Sequence, residues 1–120
     1  MKKIETISVP VSDQEKSKEF YVEKLGFKVI IETDTPQGKW LQLTLPDDST
    51  SVSLVSGPMH AAPGSLKGTI ISTNNITREF EALKEKGIEL PDIQDLPFGK
   101  IVPFADPDGN QWVLREAPNY

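Results

Sequence analysis

Few side chains in this chain can do chemistry by themselves. His60 is the only histidine, and there is no cysteine. Thiolate nucleophiles, thiolate metal sites and disulfides are therefore excluded. His60 stands in Gly57-Pro58-Met59-His60-Ala61-Ala62-Pro63-Gly64-Ser65, a stretch with the composition of a linker. It has two readings there: a general base or lone ligand on a loop over a pocket, or a solvated linker side chain. Nothing near it in the sequence orients the ring, which favours the second. No Ser-His-Asp arrangement, P-loop or dinucleotide fingerprint is found. Glu85 with Lys86, and Asp47 with Asp48, read as exposed charge.

The more informative polar groups sit inside apolar runs. Trp40 to Leu45 alternates, with Leu41, Leu43 and Leu45 on one face and Trp40, Gln42 and Thr44 on the other. The leucines claim a helix-packed face, so Gln42 either hydrogen-bonds a ligand on the opposite face, the favoured reading, or faces outward on a half-buried sheet; Trp40 shares its parity and is placed to stack on a flat ligand. Trp112 shares the parity of Leu114 and reads as core. Phe98, between a proline and a glycine, reads as a pocket gate or a loop anchor. Arg115 shares the parity of Val113; it would meet an anionic group or pair with a nearby carboxylate.

The elements that must position these residues follow from pattern. Ile4 to Val11 reads as a strand, with Pro10 marking an edge or a bulge. Ser12-Asp13-Gln14-Glu15 has the S-x-x-E form of a capping box. The helix it opens runs to about Leu25, with Phe20, Tyr21 and Leu25 on its apolar side and Gly26 just past its end. Phe27 to Ile31 is a strand, Asp34 to Gly38 a turn, Trp40 to Leu45 a strand, Asp47-Asp48-Ser49 a turn and Ser51 to Val55 a strand. After the linker the order recurs. Lys67 to Ser72 is a strand, and Asn74 or Asn75 caps a helix with Ile76, Phe80 and Leu83 buried. Gly87 ends that helix. Ile88 to Ile93 is a weak strand interrupted by Pro91. Pro97-Phe98-Gly99 turns, and Lys100 to Ala105 and Gln111 to Glu116 complete the set.

Two strand–helix–three-strand units thus follow one another, modules of about 1–57 and 66–117 joined by a linker at 58–65. Together they predict one α+β domain of two tandem βαβββ modules. Helices cover one face of each sheet, and the other faces form a cup-shaped surface. A chain of 120 residues buries roughly two-thirds of its unfolded surface and needs no covalent staples. No apolar run is long enough for a membrane span, and no signal-peptide core follows Met1-Lys2-Lys3. A cytoplasmic protein is expected. The net charge of −5 with no basic block argues against nucleic acid as the main partner.

The last turn carries the sharpest signature. In Phe104-Ala105-Asp106-Pro107-Asp108-Gly109-Asn110-Gln111-Trp112-Val113-Leu114, Pro107 and Gly109 suit a tight reversal between apolar arms. The string resembles the final hairpin of the vicinal oxygen chelate superfamily, which includes glyoxalase I, extradiol dioxygenases and the bleomycin- and fosfomycin-resistance proteins. Phe20-Tyr21 and Leu25-Gly26-Phe27 resemble the end of that family's first helix, and Val11-Ser12-Asp13 fits before it.

The resemblance implies a pocket on the faces turned away from the helices, lined by Thr6, Ser8, Trp40, Gln42, Ile70, Phe98, Val113 and Arg115. In the family's enzymes that region carries a divalent metal held by His or Glu. The matching positions here fall on Thr6, Gln42, Gly68 or Thr69, and Val113. Thr, Gln, Gly and Val do not make a metal site, so no metal and no cofactor are expected. The leading expectation is a metal-free small-molecule-binding protein, resembling the bleomycin-resistance branch and like it a homodimer. The alternatives are a glyoxalase-like lyase or extradiol-dioxygenase-like enzyme, and a non-catalytic assembly domain.

Overall fold

Strand β3, Gly38–Thr44, is the best-buried strand of the first sheet together with β4, Ser51–Val55. In the computed structural model, which describes residues 1–47 and 50–118, these two lie between β1, Thr6–Pro10, and β2, Lys28–Thr35, in the order β1-β4-β3-β2. β1 pairs with β4 in parallel, and the other pairs are antiparallel. Pro10 ends the edge strand β1, where its missing N–H interrupts no ladder. The chain forms two compact units. The first comprises Met1–Ser65 with Asp106–Asn110, the second Leu66–Ala105 with Gln111–Tyr120.

The first helix, α1, runs from Gln14 to Glu19 and continues as one π-helical turn, Phe20–Lys24. The capping box expected at Ser12 is displaced by one residue. Asp13 is the N-cap, its carboxylate accepting from the N–H groups of Glu15 and Lys16. Ser12 instead donates its hydroxyl to Asp108 at 2.6 Å. Both residues are good caps by type, so the distant partner decides between them. Gly26 turns the chain at φ 76°. Helix and π-turn bury Phe20 and Tyr21 against the face that carries Val9, Leu41, Leu43, Val52 and Leu54. Gln14 ties the helix to the sheet by donating its side-chain amide to the carbonyls of Lys39 and Leu54.

Other expectations on this unit shift in detail. β2 is longer than predicted and takes in Asp34 and Thr35, leaving Pro36 and Gln37 as the turn. It is an edge strand with every residue exposed, and its pairing slips between Val29 and Ile31. Ile7, which pairs with the buried Val52, is itself only half-buried. Of the turn predicted at 47–49, Asp48 and Ser49 lie outside the described residues, as does the Asp48 half of the expected charge pair.

The second unit repeats the plan. β5, Thr69–Ser72, pairs in parallel with β8, Gln111–Glu116. β8 pairs antiparallel with β7, Gly99–Ala105, and β7 with β6, Gln94–Leu96, giving the order β5-β8-β7-β6. Helix α2, Ile76–Glu85, starts at Asn75, whose side chain accepts from the Arg78 N–H. It ends at Gly87, φ 85°, where Gly87 N–H reaches the Lys84 carbonyl and Ile88 N–H the Leu83 carbonyl, with Leu83 and Ile88 both buried. Phe80, expected fully buried, is half-buried, with the Lys84 ammonium 5.5 Å from its ring centre. The weak strand expected over 88–93 does not form. The strand begins at Gln94, beyond Pro91, which has no N–H to give a ladder. Both units are βαβββ, and the chain is α+β.

Candidate functional site

The Asp106–Asn110 turn sets the frame of the first unit. The Asp106 side chain is buried and accepts from the Tyr21 hydroxyl at 2.8 Å, the Asn110 amide at 2.8 Å and the N–H groups of Asp108 and Asn110. Asn110, fully buried, also donates to the Pro10 carbonyl at 2.8 Å. A buried carboxylate is tolerated when it is hydrogen-bonded this fully. The motif that is most telling in the sequence is therefore an architectural knot. It joins the end of β1 to the π-turn and offers no reactive group.

The first-unit residues expected to face a ligand lie on the opposite face from α1. Cross-strand register puts Thr6, Ser8, Ser51, Ser53, Gln42, Thr44 and Trp40 on one side of the sheet. Here the parity expected for β3 holds, with Leu41 and Leu43 under the helix and Gln42 away from it. The row is wired together. Trp40 Nε1 donates to Gln42 Oε1 at 3.1 Å, Gln42 Nε2 to Ser51 Oγ at 3.0 Å, and Ser51 Oγ to the Glu5 carbonyl at 2.6 Å. The Thr6 and Ser53 hydroxyls share a bond of 2.9 Å. Gln42 is 5% exposed, and its first duty is to lock the indole of Trp40. An amide has two protons and a carbonyl two lone pairs, so this use leaves half its capacity. Ser8 is exposed and Thr6 partly so.

Two cavities flank this row. One, of about 290 Å³, is lined by Gln42, Thr44, Ser51, Ile30, Ile31 and Glu5 among others. The other, about 420 Å³, is lined by Trp40, Val55, Pro58, Met59 and His60 among others. The sequence favours a solvated linker residue at His60. It is exposed, yet it lines a cavity with Trp40. The signal was the proline after Gly57, which predicts a turn, but not what the turn would border.

In the second unit, Ile70 pairs with Val113 and Ser72 with Arg115. Ile70, Val113 and Arg115 therefore share the face away from Trp112 and Leu114, which are core. Arg115 turns to the β6–β7 turn, donating from Nε and Nη2 to the Phe98 carbonyl at 3.0 and 2.6 Å. Its partner is thus a backbone carbonyl, where a carboxylate was one expectation. Phe98 is 54% exposed.

The electrostatic cluster of the first unit lies on the helix face. Glu32 takes Lys18 at 2.9 Å and Lys39 at 3.0 Å, and Lys39 also reaches Glu15 at 2.7 Å. Hydrogen bonds from Lys18 and Lys39 hold the Glu32 carboxyl below the usual carboxylate range. Donating to the carboxylates of Glu15 and Glu32 raises the Lys39 ammonium above its ordinary value.

The donor set does not fit the metal of the family's enzymes. Gln42 and Thr6 supply only neutral oxygens already in hydrogen bonds. Thr69 pairs with Trp112, on the helix side of its sheet, Gly68 has no side chain, and Val113 has no donor atom. Among the described residues no group of three or more His, Cys, Asp or Glu is placed to hold an ion. Two neutral oxygens leave a 2+ charge uncompensated.

Comparison with known proteins agrees with this architecture. The family model described as Glyoxalase/Bleomycin resistance protein/Dioxygenase superfamily matches residues 3–114. The Bacillus subtilis (strain 168) protein YetH is 30% identical over 97% of this chain and 99% of its own. The crystal structure of TnmS3, an antibiotic-binding protein from Streptomyces sp. CB03234, is 36% identical with a TM-score of 0.92, covering 98% of each chain. A glyoxalase/bleomycin resistance protein from the same strain is 37% identical with a TM-score of 0.84, covering 94% of this chain and 99% of that one. On the family model and these near full-length matches, the chain belongs to the Glyoxalase/Bleomycin resistance protein/Dioxygenase superfamily.

Proposed function

We propose that the protein binds an organic small molecule, without a metal ion, against the face of its first sheet that carries Trp40 and Gln42. The observation that carries this reading is the hydrogen-bonded row Trp40–Gln42–Ser51, set between two cavities. A fixed indole is a preorganised stacking surface, and preorganisation lowers the entropy cost of binding. Gln42's remaining proton and lone pair, with Thr6 and Ser8, supply the few placed polar contacts that such pockets use. The antibiotic-binding relative TnmS3 supports the same class of ligand. Ile70, Val113, Phe98 and Arg115 remain proposed ligand-binding residues of the second unit's own sheet, with Ile70, Val113 and Arg115 sharing its face away from the core. Arg115 would act mainly by fixing the Phe98 turn.

The working form is proposed to be a homodimer in the cytoplasm. The edge strand β2 supports the dimer, since it exposes Val29, Ile30 and Ile31 together, and such edges call for a partner. Among the described residues no helix is long and apolar enough to cross a membrane.

The test is a thermal-shift screen of organic antibiotics against the wild type and Trp40→Ala. Binding to the folded state raises the melting temperature by mass action. A hit whose shift survives Trp40→Ala unchanged would place the ligand elsewhere.

A further inference from the structure

The larger cavity has a wall that the polar row does not account for. Gly57-Pro58-Met59-His60 forms a turn, closed by the His60 N–H donating to the Gly57 carbonyl at 3.2 Å. Pro58 fixes φ at the turn's second position, so Met59 and His60 are held on a preset backbone. Met59 is 83% exposed. Core packing gives no reason for a methionine there, yet Met59, His60, Val55 and Trp40 line one space of about 420 Å³. That volume is in the range of small-molecule pockets.

The chemistry of the lining is selective. The indole N–H of Trp40 is committed to Gln42, so the ring has its carbon surface left to offer. A thioether and an imidazole both make favourable contacts with aromatic rings. Lys39 is the cation in the lining. Its ammonium is held by Glu15 at 2.7 Å and Glu32 at 3.0 Å, so it brings no uncompensated charge to attract an anion.

We infer that this cavity takes a neutral, flat aromatic ring, held by Trp40 on one side and by the Met59–His60 turn on the other. The inference rests on the reading above for Trp40 as a ligand surface, and adds a ring-selective subsite that the polar row lacks. It makes the turn a determinant of ligand choice.

The experiment uses four probes on the full chain in chelator-containing buffer: 2-naphthalenemethanol, cyclohexylmethanol, 2-naphthoate and 2-naphthylmethylamine. Binding is followed by amide and indole chemical shifts. The expected result is saturable binding of 2-naphthalenemethanol, with shifts centred on the Trp40 indole and residues 55–60. Cyclohexylmethanol and 2-naphthoate should bind more weakly, as should 2-naphthylmethylamine, since the lining holds no carboxylate; Met59→Ala should loosen the naphthyl alcohol by about threefold, the scale of a sulfur–aromatic contact. His60→Ala should loosen it further. Both positions are exposed, so these variants keep their fold. The inference is overturned if the naphthyl alcohol does not bind or if cyclohexylmethanol, 2-naphthoate or 2-naphthylmethylamine binds as well. It is also overturned if Met59→Ala and His60→Ala change nothing. Tight naphthyl binding with no hit in the antibiotic screen would sink the antibiotic-class reading and leave this subsite standing. An antibiotic hit without naphthyl binding would do the reverse.

Discussion

At the scale of single residues, Asp106 carries the heaviest structural duty. It satisfies the Tyr21 hydroxyl, the Asn110 amide and two backbone N–H groups in a buried place. Asp106→Ala removes the acceptor that these donors share, at about 1–3 kcal/mol for each buried donor not satisfied elsewhere. Tyr21→Phe removes one donor and its bond together, and should cost about 1 kcal/mol. Urea denaturation of both variants should show the alanine to be the more damaging by several-fold. Gly64 is a second constrained position. It sits at φ 80°, and a Cβ added there would overlap the Asp108 carbonyl oxygen. Gly64→Ala should therefore destabilise by more than about 1 kcal/mol, in contrast to the gain that the same change gives at a relaxed site. Residue types were legible at this scale, but partners were not. Ser12 and Asp13 are both capping residues by type, and only the contact between Ser12 and Asp108, ninety-six positions away in sequence, decides which one caps. For Gln42, parity gave the correct face. Its bond to Trp40 could not be read from parity, because it depends on two rotamers meeting along one strand.

At the scale of elements, periodicity worked wherever burial imposed it. β3 and β4 read cleanly because one face of each packs under α1, and a one-residue slip would turn every leucine outward. Leu43 is fully buried there. Leu43→Ala should cost about 2–5 kcal/mol in denaturant titration, as cavity-creating changes do. β2 was read short because its residues are all exposed, so no apolar alternation marks its far end. The π-turn at Phe20–Lys24 is invisible to a 3.6-residue pattern, which it continues with one extra residue. The Lys18–Glu32–Lys39–Glu15 cluster links α1, β2 and β3. Glu32's carboxyl is held below its ordinary value of 4.5 by the two lysines. A lowered carboxylate contributes stability above the unfolded value and loses it as pH falls through the folded one. The melting-temperature gap between wild type and Glu32→Gln should thus be open at neutral pH and close as the solution is acidified below about 4.5. A gap that widened in acid would contradict the assignment. Both ion pairs of Glu32 are partly exposed, so the gap should also shrink in high salt.

At the scale of the molecule, duplication was the most legible property. Two βαβββ units with the same strand order follow from Gly26 and Gly87 closing two similar helices and from the apolar periodicity around them. The cavity beside His60 was not legible. It forms because the Gly57–His60 turn returns to Trp40, and composition marks such a stretch only as a linker. Family membership narrows the activity little, since one fold carries many chemistries; the donor types at the family's metal positions narrow it more. The central claim is ligand binding without a metal. Its most direct test is a titration of chelator-treated protein, checked for residual metal by elemental analysis, with the best compound from the antibiotic screen, while the melting temperature is followed. A saturable rise is expected, about 2.7 kcal/mol of added stability at a hundred times the dissociation constant. That rise should be unchanged by added divalent ions and reduced by Gln42→Ala. A rise that appears only when a divalent metal is restored would contradict it.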